Sequence, residues 1–137
     1  MTTLARKLAR DASGSPSVDF ALTLPALILM TMGVLQLGIA FLANAGLRNA
    51  VESGARYATV FLEATRAYPT DDQIRAKVRS SAFGMDSTQL STPTVTRGTS
   101  NGESYVDVTA TYPIRFSLVV ISTPAFNLSY TRRAYQL

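Results

Sequence analysis

A run with no charged side chain, Phe20–Leu47, constrains the fold of this 137-residue chain more than any other feature. Its most apolar part, Phe20–Ala43, would extend roughly 36 Å as a helix, enough to cross a hydrocarbon core of about 30 Å. We therefore expect a single membrane-spanning helix. Pro25 should loosen its first half, and Gly33 and Gly38 should let another helix come close.

The segment before this run is basic, with Arg6, Lys7 and Arg10 against the single acid Asp11. Positive charge beside an apolar segment holds that end in the cytoplasm. The rest of the chain is then expected on the far side of the membrane.

Asp19 is a lone acid at the start of the apolar run. An ionised carboxylate inside a bilayer is costly unless it is paired. We interpret Asp19 as an assembly residue on a helix that packs beside copies or relatives of itself.

Two other interpretations of the apolar run compete. The first is a secretory signal peptide cut after Ala43-Asn44-Ala45, but the apolar core exceeds the usual length of about 7–15 residues. The second is an ordinary uncleaved anchor. Neither explains Asp19.

Beyond the membrane run the helix is predicted to continue as an amphipathic stalk to about Arg66. Apolar residues recur there at spacings of three and four, which places them on one face. Arg48, Glu52 and Arg56 follow one another at i, i+4 on the face expected to be wet. Gly54 is expected to permit close contact with the domain that follows. Tyr68-Pro69 should end this helix.

Thr70 and Gln73 have the spacing of a capping box, which predicts a short second helix over residues 71–83. Its inward residues should be Ile74, Val78 and Phe83. The neighbouring Asp71-Asp72 could be taken for a metal pair, but acids at a helix N-terminus explain both residues.

From about residue 90 the apolar pattern changes to a period of two. Strands are predicted at 92–97, 104–112, 116–121 and 126–133, with a tight turn at Ser100-Asn101-Gly102. They form an antiparallel sheet of three or four strands, with Val106, Val108, Ala110 and Tyr112 on one face. The predicted fold class is α+β and pilin-like, a long helix packed on this small sheet with one short extra helix.

Composition excludes several kinds of chemistry. The chain has no cysteine, histidine or tryptophan, and its net charge of +4 comes from scattered basic residues. Without a histidine, a phosphate loop or a convincing carboxylate pair, we predict no enzyme, no cofactor, no metal site and no small-molecule substrate. The absence of a basic stripe argues against nucleic-acid binding.

Gly14-Ser15-Pro16-Ser17-Val18-Asp19-Phe20 resembles the prepilin-peptidase site of the type IV pilin superfamily. It is most similar to the tight-adherence (Tad, Flp) branch, in which a Gly precedes the cut and an acid and an aromatic follow at mature positions five and six. The apolar run, the Gly54–Ala58 motif G-A-R-Y-A and the Val106–Pro113 strand resemble TadE-like proteins. Two residues depart from the family pattern: Asp19 stands where the family usually has Glu, and Pro16 occupies the second mature position.

The resemblance implies a minor pilin or pseudopilin that takes part in pilus assembly or initiation for secretion and adhesion. Residues 1–14 would be a leader that prepilin peptidase removes between Gly14 and Ser15. Residues 15–67 would be the long helix, with a membrane part at about 20–43 and a stalk at about 44–66. Residues 68–137 would form the periplasmic helix and sheet.

In this picture Asp19 and Phe20 serve subunit pairing and recognition, and Pro25, Gly33, Gly38 and Gly54 serve helix packing. The implied partners are prepilin peptidase, the major Flp-type pilin, other minor pilins and the inner-membrane assembly platform. The implied location is the bacterial inner membrane, crossed once, with incorporation into a surface pilus. The alternative is a single-pass envelope protein whose periplasmic domain binds partners without polymerising.

Overall fold

The computed structural model describes residues 16–63, 66–116 and 124–136. Two helices and three strands follow in the order α1 (Pro16–Ala58), α2 (Asp71–Ser81), β1 (Thr94–Ser100), β2 (Glu103–Ile114) and β3 (Phe126–Gln136). The chain divides into two compact units, Met1–Leu35 and Gln36–Leu137. This is the α+β class expected from the sequence.

Helix α1 has 43 residues, which corresponds to about 65 Å of helix. It ends at Ala58, so the prediction that it continues to about Arg66 is wrong. The amides of Thr59 and Val60 reach back three residues, to Arg56 and Tyr57, which tightens the last turn. The Ala58 carbonyl accepts a hydrogen bond of 2.7 Å from Nε2 of Gln136.

The chain then turns back on itself instead of continuing the helix. The amide of Leu62 donates to the carbonyl of Ala67 at 3.0 Å, and Arg66 has a positive φ of 50°. A helical Leu62 would have bonded to Ala58, whose carbonyl accepts from Gln136 of strand β3. At the end of α1, the Ala58 carbonyl is therefore bonded to Gln136 of β3 and not to the amide of Leu62.

Helix α2 begins with the predicted capping box. The Gln73 amide donates to Oγ1 of Thr70 at 3.4 Å, and the Thr70 amide donates to Oε1 of Gln73 at 2.9 Å. Ile74 and Val78 are fully buried, as predicted. Phe83 is 46% exposed and lies beyond the helix end at Ser81, so its predicted inward position is wrong.

The sheet is antiparallel in the order β1-β2-β3. Asn101 and Gly102 both have positive φ, 54° and 86°, as a two-residue hairpin turn requires, and Ser100 pairs with Glu103 across it. The third predicted strand, 116–121, is not found at Phe116, and its other residues lie outside the described ranges.

One hydrophobic core joins the second half of α1, helix α2 and the inner face of the sheet. The predicted inward residues of β2 are confirmed, since Val106, Val108 and Ala110 are each at most 1% exposed. The whole cluster consists of Leu47, Ala50, Val51, Ala55, Ala58, Ile74, Val78, Leu90, Val95, Val106, Val108 and Ala110.

Candidate subunit interface on helix α1

The part of helix α1 that belongs to the first unit of the chain presents apolar side chains that no other part of the described chain covers. Every side chain from Pro16 to Met32 is exposed, including Phe20 at 61% and Leu22 at 75%. By length and composition, α1 is the one helix in the described residues that could cross a membrane. An apolar helix surface of this size requires lipid or protein around it.

The two threonines of this stretch bond to their own helix. Oγ1 of Thr23 donates to the carbonyl oxygens of Asp19 at 3.0 Å and Phe20 at 3.2 Å. Oγ1 of Thr31 donates to the carbonyl of Leu27 at 2.8 Å. Hydroxyls satisfied in this way can lie in an apolar medium without an outside partner.

Asp19 is exposed in the first turn of α1, where the helix dipole favours a negative charge. Within the described part of the chain its carboxylate has no ion-pair or hydrogen-bond partner. Gly14 and Ser15, the predicted cleavage pair, lie outside the described residues. The pairing of Asp19 and Phe20 with a neighbouring subunit therefore stays a prediction.

Three residues predicted to serve helix packing lie in the exposed part of α1. They are Pro25, Gly33 and Gly38. Pro25 lies inside the continuous helix and has no N–H for the carbonyl of Ala21. A Cβ added at Gly33 or Gly38 would meet no atom within 4 Å. Both glycines are thus available to an outside helix.

Gly54 and Gly46 make close contacts inside the second unit. A Cβ on Gly54 would collide with Cγ2 of Val78 on α2. A Cβ on Gly46 would collide with the backbone carbonyl of Phe83. Gly46 was not among the residues singled out from the sequence, because it stands inside the apolar run with no local pattern that marks it.

The possible signal-peptidase site lies inside this packed region. Ala43 is 2% exposed, Leu47 is fully buried, and Gly46 is in contact with Phe83. A cut after Ala45 would interrupt α1 among residues that belong to the core. This packing argues against release of a soluble domain at that position.

A cleft of about 200 Å³ separates the end of α1 from strand β3. Arg48 is exposed and Glu52 is partly exposed, in keeping with the predicted wet face, and both also contact Tyr130 of this strand. The tyrosine hydroxyl donates to Oε1 of Glu52 at 3.3 Å, and the Arg48 guanidinium lies 5.5 Å from the ring centroid. The cleft is lined by Glu52, Ala55, Arg56, Thr59, Arg132, Arg133 and Ala134.

The outer face of the sheet is polar and internally bonded. Arg133 donates two hydrogen bonds to the Asp107 carboxylate, at 2.8 and 2.7 Å, and its guanidinium lies 3.9 Å from the Tyr105 ring centroid. The hydrogen bond from Arg133 holds the pKa of Asp107 below its ordinary value. Thr109 and Thr131 share a hydrogen bond of 2.8 Å next to this pair.

Asp71 and Asp72, the possible metal pair, are each occupied by an arginine. Oδ1 of Asp71 accepts from Nε of Arg97 at 2.8 Å, and Oδ1 of Asp72 accepts from Nη1 of Arg75 at 2.8 Å. Across residues 16–63, 66–116 and 124–136, no three acidic side chains come together in a way that could hold a metal ion.

Comparison with known proteins finds a family that is similar to part of the chain. Residues 14–56 match the family described as TadE-like protein. The matched segment contains Gly14, Asp19 and the helix up to Arg56, and it stops before the sheet. No curated protein and no solved structure matches the chain.

Proposed function

We propose that this chain is a minor pilin or pseudopilin of the Tad pilus, because its residues 14–56 match the TadE-like family. The observation that carries the proposal is the uncovered apolar first unit of α1, which begins with an unpartnered acid. The helix anchors the protein in the inner membrane and later packs among other pilin helices. The sheet domain lies in the periplasm.

Removal of the leader is the step that frees the helix for assembly. Prepilin peptidase cuts between Gly14 and Ser15 on the cytoplasmic side, which removes Arg6, Lys7 and Arg10. These charges hold the N-terminus in the cytoplasm, since moving them through the bilayer is costly. The cut also creates a positively charged α-amine at Ser15.

Asp19 then pairs with the Ser15 amine of a neighbouring subunit or of its own chain. Leaving one partner of a buried ion pair unpaired costs about 3–5 kcal/mol, which exceeds the net gain from the pair itself. A misdocked helix would bear this cost, so the pair sets the axial register between helices. Gly33 and Gly38 allow the neighbouring helix to approach at the open positions found on α1.

The sheet domain supplies the contact surface for other pilus components. Strand β3 lies at an edge of the described sheet. It also lines the cleft beside the end of α1. Arg56 and Arg132 lie in this cleft without an ion-pair partner among the described residues. A basic cleft next to an open strand edge favours a partner with acidic groups.

The test replaces Asp19 in cells that assemble the pilus. We expect Asp19→Ala to be cleaved normally but to be recovered in the pilus fraction at one tenth of the wild-type amount or less. Asp19→Glu keeps the charge and should assemble like the wild type. Cleavage is read from the shift in protein mass, and incorporation from immunoblots of sheared pili.

Two outcomes would contradict the proposal. If Asp19→Ala is incorporated as efficiently as wild type, Asp19 has no pairing role. If wild-type protein stays wholly in the membrane while the pilus assembles, the chain is an envelope protein that binds partners without polymerising.

A further inference from the structure

A groove of about 360 Å³ lies beside residues 36–43 of α1, separate from the Asp19 region and from the α1–β3 cleft. Its other wall is the end of β2 and the two residues that follow. The lining residues are Gln36, Ile39, Ala40, Ala43, Gly84, Gln89, Tyr112, Pro113, Ile114, Arg115 and Phe116. A volume of this size is at the lower end of the range for small-molecule sites, about 300–1,000 Å³.

The groove has both apolar and polar lining residues, and it carries one charge. Its apolar lining includes Ile39 and Ala40 of α1 and, on the other wall, Ile114 and Phe116. Arg115 is the single charged lining residue, and its side chain is exposed. Among the described residues the Arg115 guanidinium has no hydrogen bond, ion pair or ring contact.

Two polar lining residues, Gln89 and Tyr112, already have partners. Nε2 of Gln89 donates to Oδ2 of Asp86 at 3.2 Å, and the Tyr112 hydroxyl accepts from the Asp86 amide at 3.2 Å. The Asp86 carboxylate also accepts from Thr88 and is not part of the lining. Among the described lining residues, no acid therefore offsets Arg115.

The position of the groove in the chain indicates what fills it. Its helix wall, residues 36–43, is the last two turns of the apolar run that we propose to cross the membrane. Side chains at the end of a membrane span lie at the level of the lipid headgroups. An apolar wall continuous with that run, next to one unpartnered cation, fits a ligand with an apolar end and an anionic end.

We propose that this groove binds one anionic phospholipid, with the phosphate on Arg115 and the first carbons of an acyl chain against Ile39, Ile114 and Phe116. The inference rests on the membrane-spanning part of the proposed function. A guanidinium forms charge-assisted hydrogen bonds with phosphate oxygens, and headgroup recognition by basic pockets follows the same chemistry. The bound lipid would fix the sheet domain at the membrane surface until the helix leaves the bilayer.

The test uses the full chain purified in a neutral detergent. Dioctanoyl phosphatidylglycerol is titrated in, and bound lipid is measured by native mass spectrometry, with dioctanoyl phosphatidylcholine as the neutral counterpart. We expect one phosphatidylglycerol per chain and at least tenfold weaker binding of phosphatidylcholine. Loss of a hydrogen bond to a charged group predicts that Arg115→Gln weakens phosphatidylglycerol binding about tenfold or more.

Three variants separate the site from general charge effects. Arg115→Lys keeps the charge and should retain most of the binding. Ala40→Trp fills the groove while Arg115 remains, and it should weaken binding as Arg115→Gln does. Lys77→Gln removes an exposed charge from α2 and should bind like wild type. Urea unfolding shows whether each variant is folded.

Several results would overturn the inference. Equal binding of the two lipids would do so, as would wild-type affinity in Arg115→Gln. Equal competition by free glycerol phosphate would assign the site to a soluble phosphate. A dimer in which a second copy replaces the lipid would assign the groove to protein. Alkaline carbonate extraction of membranes tests the membrane span separately, so its failure is distinguishable from failure to bind lipid.

Discussion

Gly46 lies where the backbone carbonyl of Phe83 crosses helix α1, and no larger residue fits there without a backbone shift. Gly54 has a similar role eight residues later, against the buried side chain of Val78. The two glycines let helix α2 and the residues just after it approach α1 closely. At this scale, packing within its own domain requires glycine at two positions of α1.

We predict that Gly46→Ala destabilises the second unit by about 1–3 kcal/mol, because the added methyl group overpacks against a backbone atom. Gly38→Ala is the matched control, since a Cβ there meets nothing within 4 Å. It should change stability by no more than about 1 kcal/mol. Urea unfolding of the full chain in detergent, followed by near-ultraviolet circular dichroism of its tyrosines, measures both. Equal stability of the two variants would contradict the close contact.

The Asp107–Arg133 pair predicts a specific pH dependence. The pKa of Asp107 is lowered on folding, so its contribution is present above the unfolded pKa of about 4 and is lost as the pH falls through the lower, folded value. Asp107→Asn should therefore be less stable than wild type at pH 7, by about 1 kcal/mol or less for a pair this exposed. The difference should disappear in strong acid.

A double-mutant cycle provides the control for this pair. In an Arg133→Gln background, Asp107→Asn should have almost no further effect at pH 7. If it destabilises that background as much as it destabilises wild type, the ion pair is not the source of the pH dependence. Equilibrium urea unfolding between pH 2 and 7 measures all four proteins.

Among the elements, helix α2 and the hairpin could be predicted from the sequence because local chemistry determines them. Thr70 and Gln73 close the capping box within four residues, and Asn101-Gly102 makes the turn within two. The end of α1 could not be predicted in this way. At that end the Ala58 carbonyl accepts a hydrogen bond from Gln136, 78 residues away, a contact that no local pattern contains.

The same contrast applies to the candidate sites. Asp19 and the open glycines of α1 follow from the pattern of the apolar run. The approach of Arg48 and Glu52 to Tyr130, and the groove at Arg115, depend on how the sheet packs against α1. No local pattern contains that information.

The capping box provides a test at the scale of one element. Thr70→Ala should destabilise the second unit by about 1 kcal/mol, because the Gln73 amide loses its acceptor at the N-terminus of α2. Thr70→Ser retains a hydroxyl and should stay close to wild type. The unfolding midpoint in urea separates the two variants. Equal midpoints for Thr70→Ala and Thr70→Ser would show that the cap does not stabilise α2 measurably.

At the scale of the whole molecule, one helix serves two environments. Its first unit has an uncovered apolar surface, while its second half supplies Leu47, Val51 and Ala55 to the core of the sheet domain. The TadE-like match covers this helix and not the sheet. The shared part of the chain is thus the part that the proposal places in the membrane and in the assembly.

The proposed function depends on a cut between Gly14 and Ser15 that releases the helix for assembly. The most direct test is intact-mass measurement of the full chain expressed in a host that has prepilin peptidase, with Gly14→Leu as the uncleaved control. We predict a mature chain that begins at Ser15 and a control that retains residues 1–14. A wild-type chain that begins at Met1 and still enters the pilus would contradict it, as would a chain that begins at Gly46.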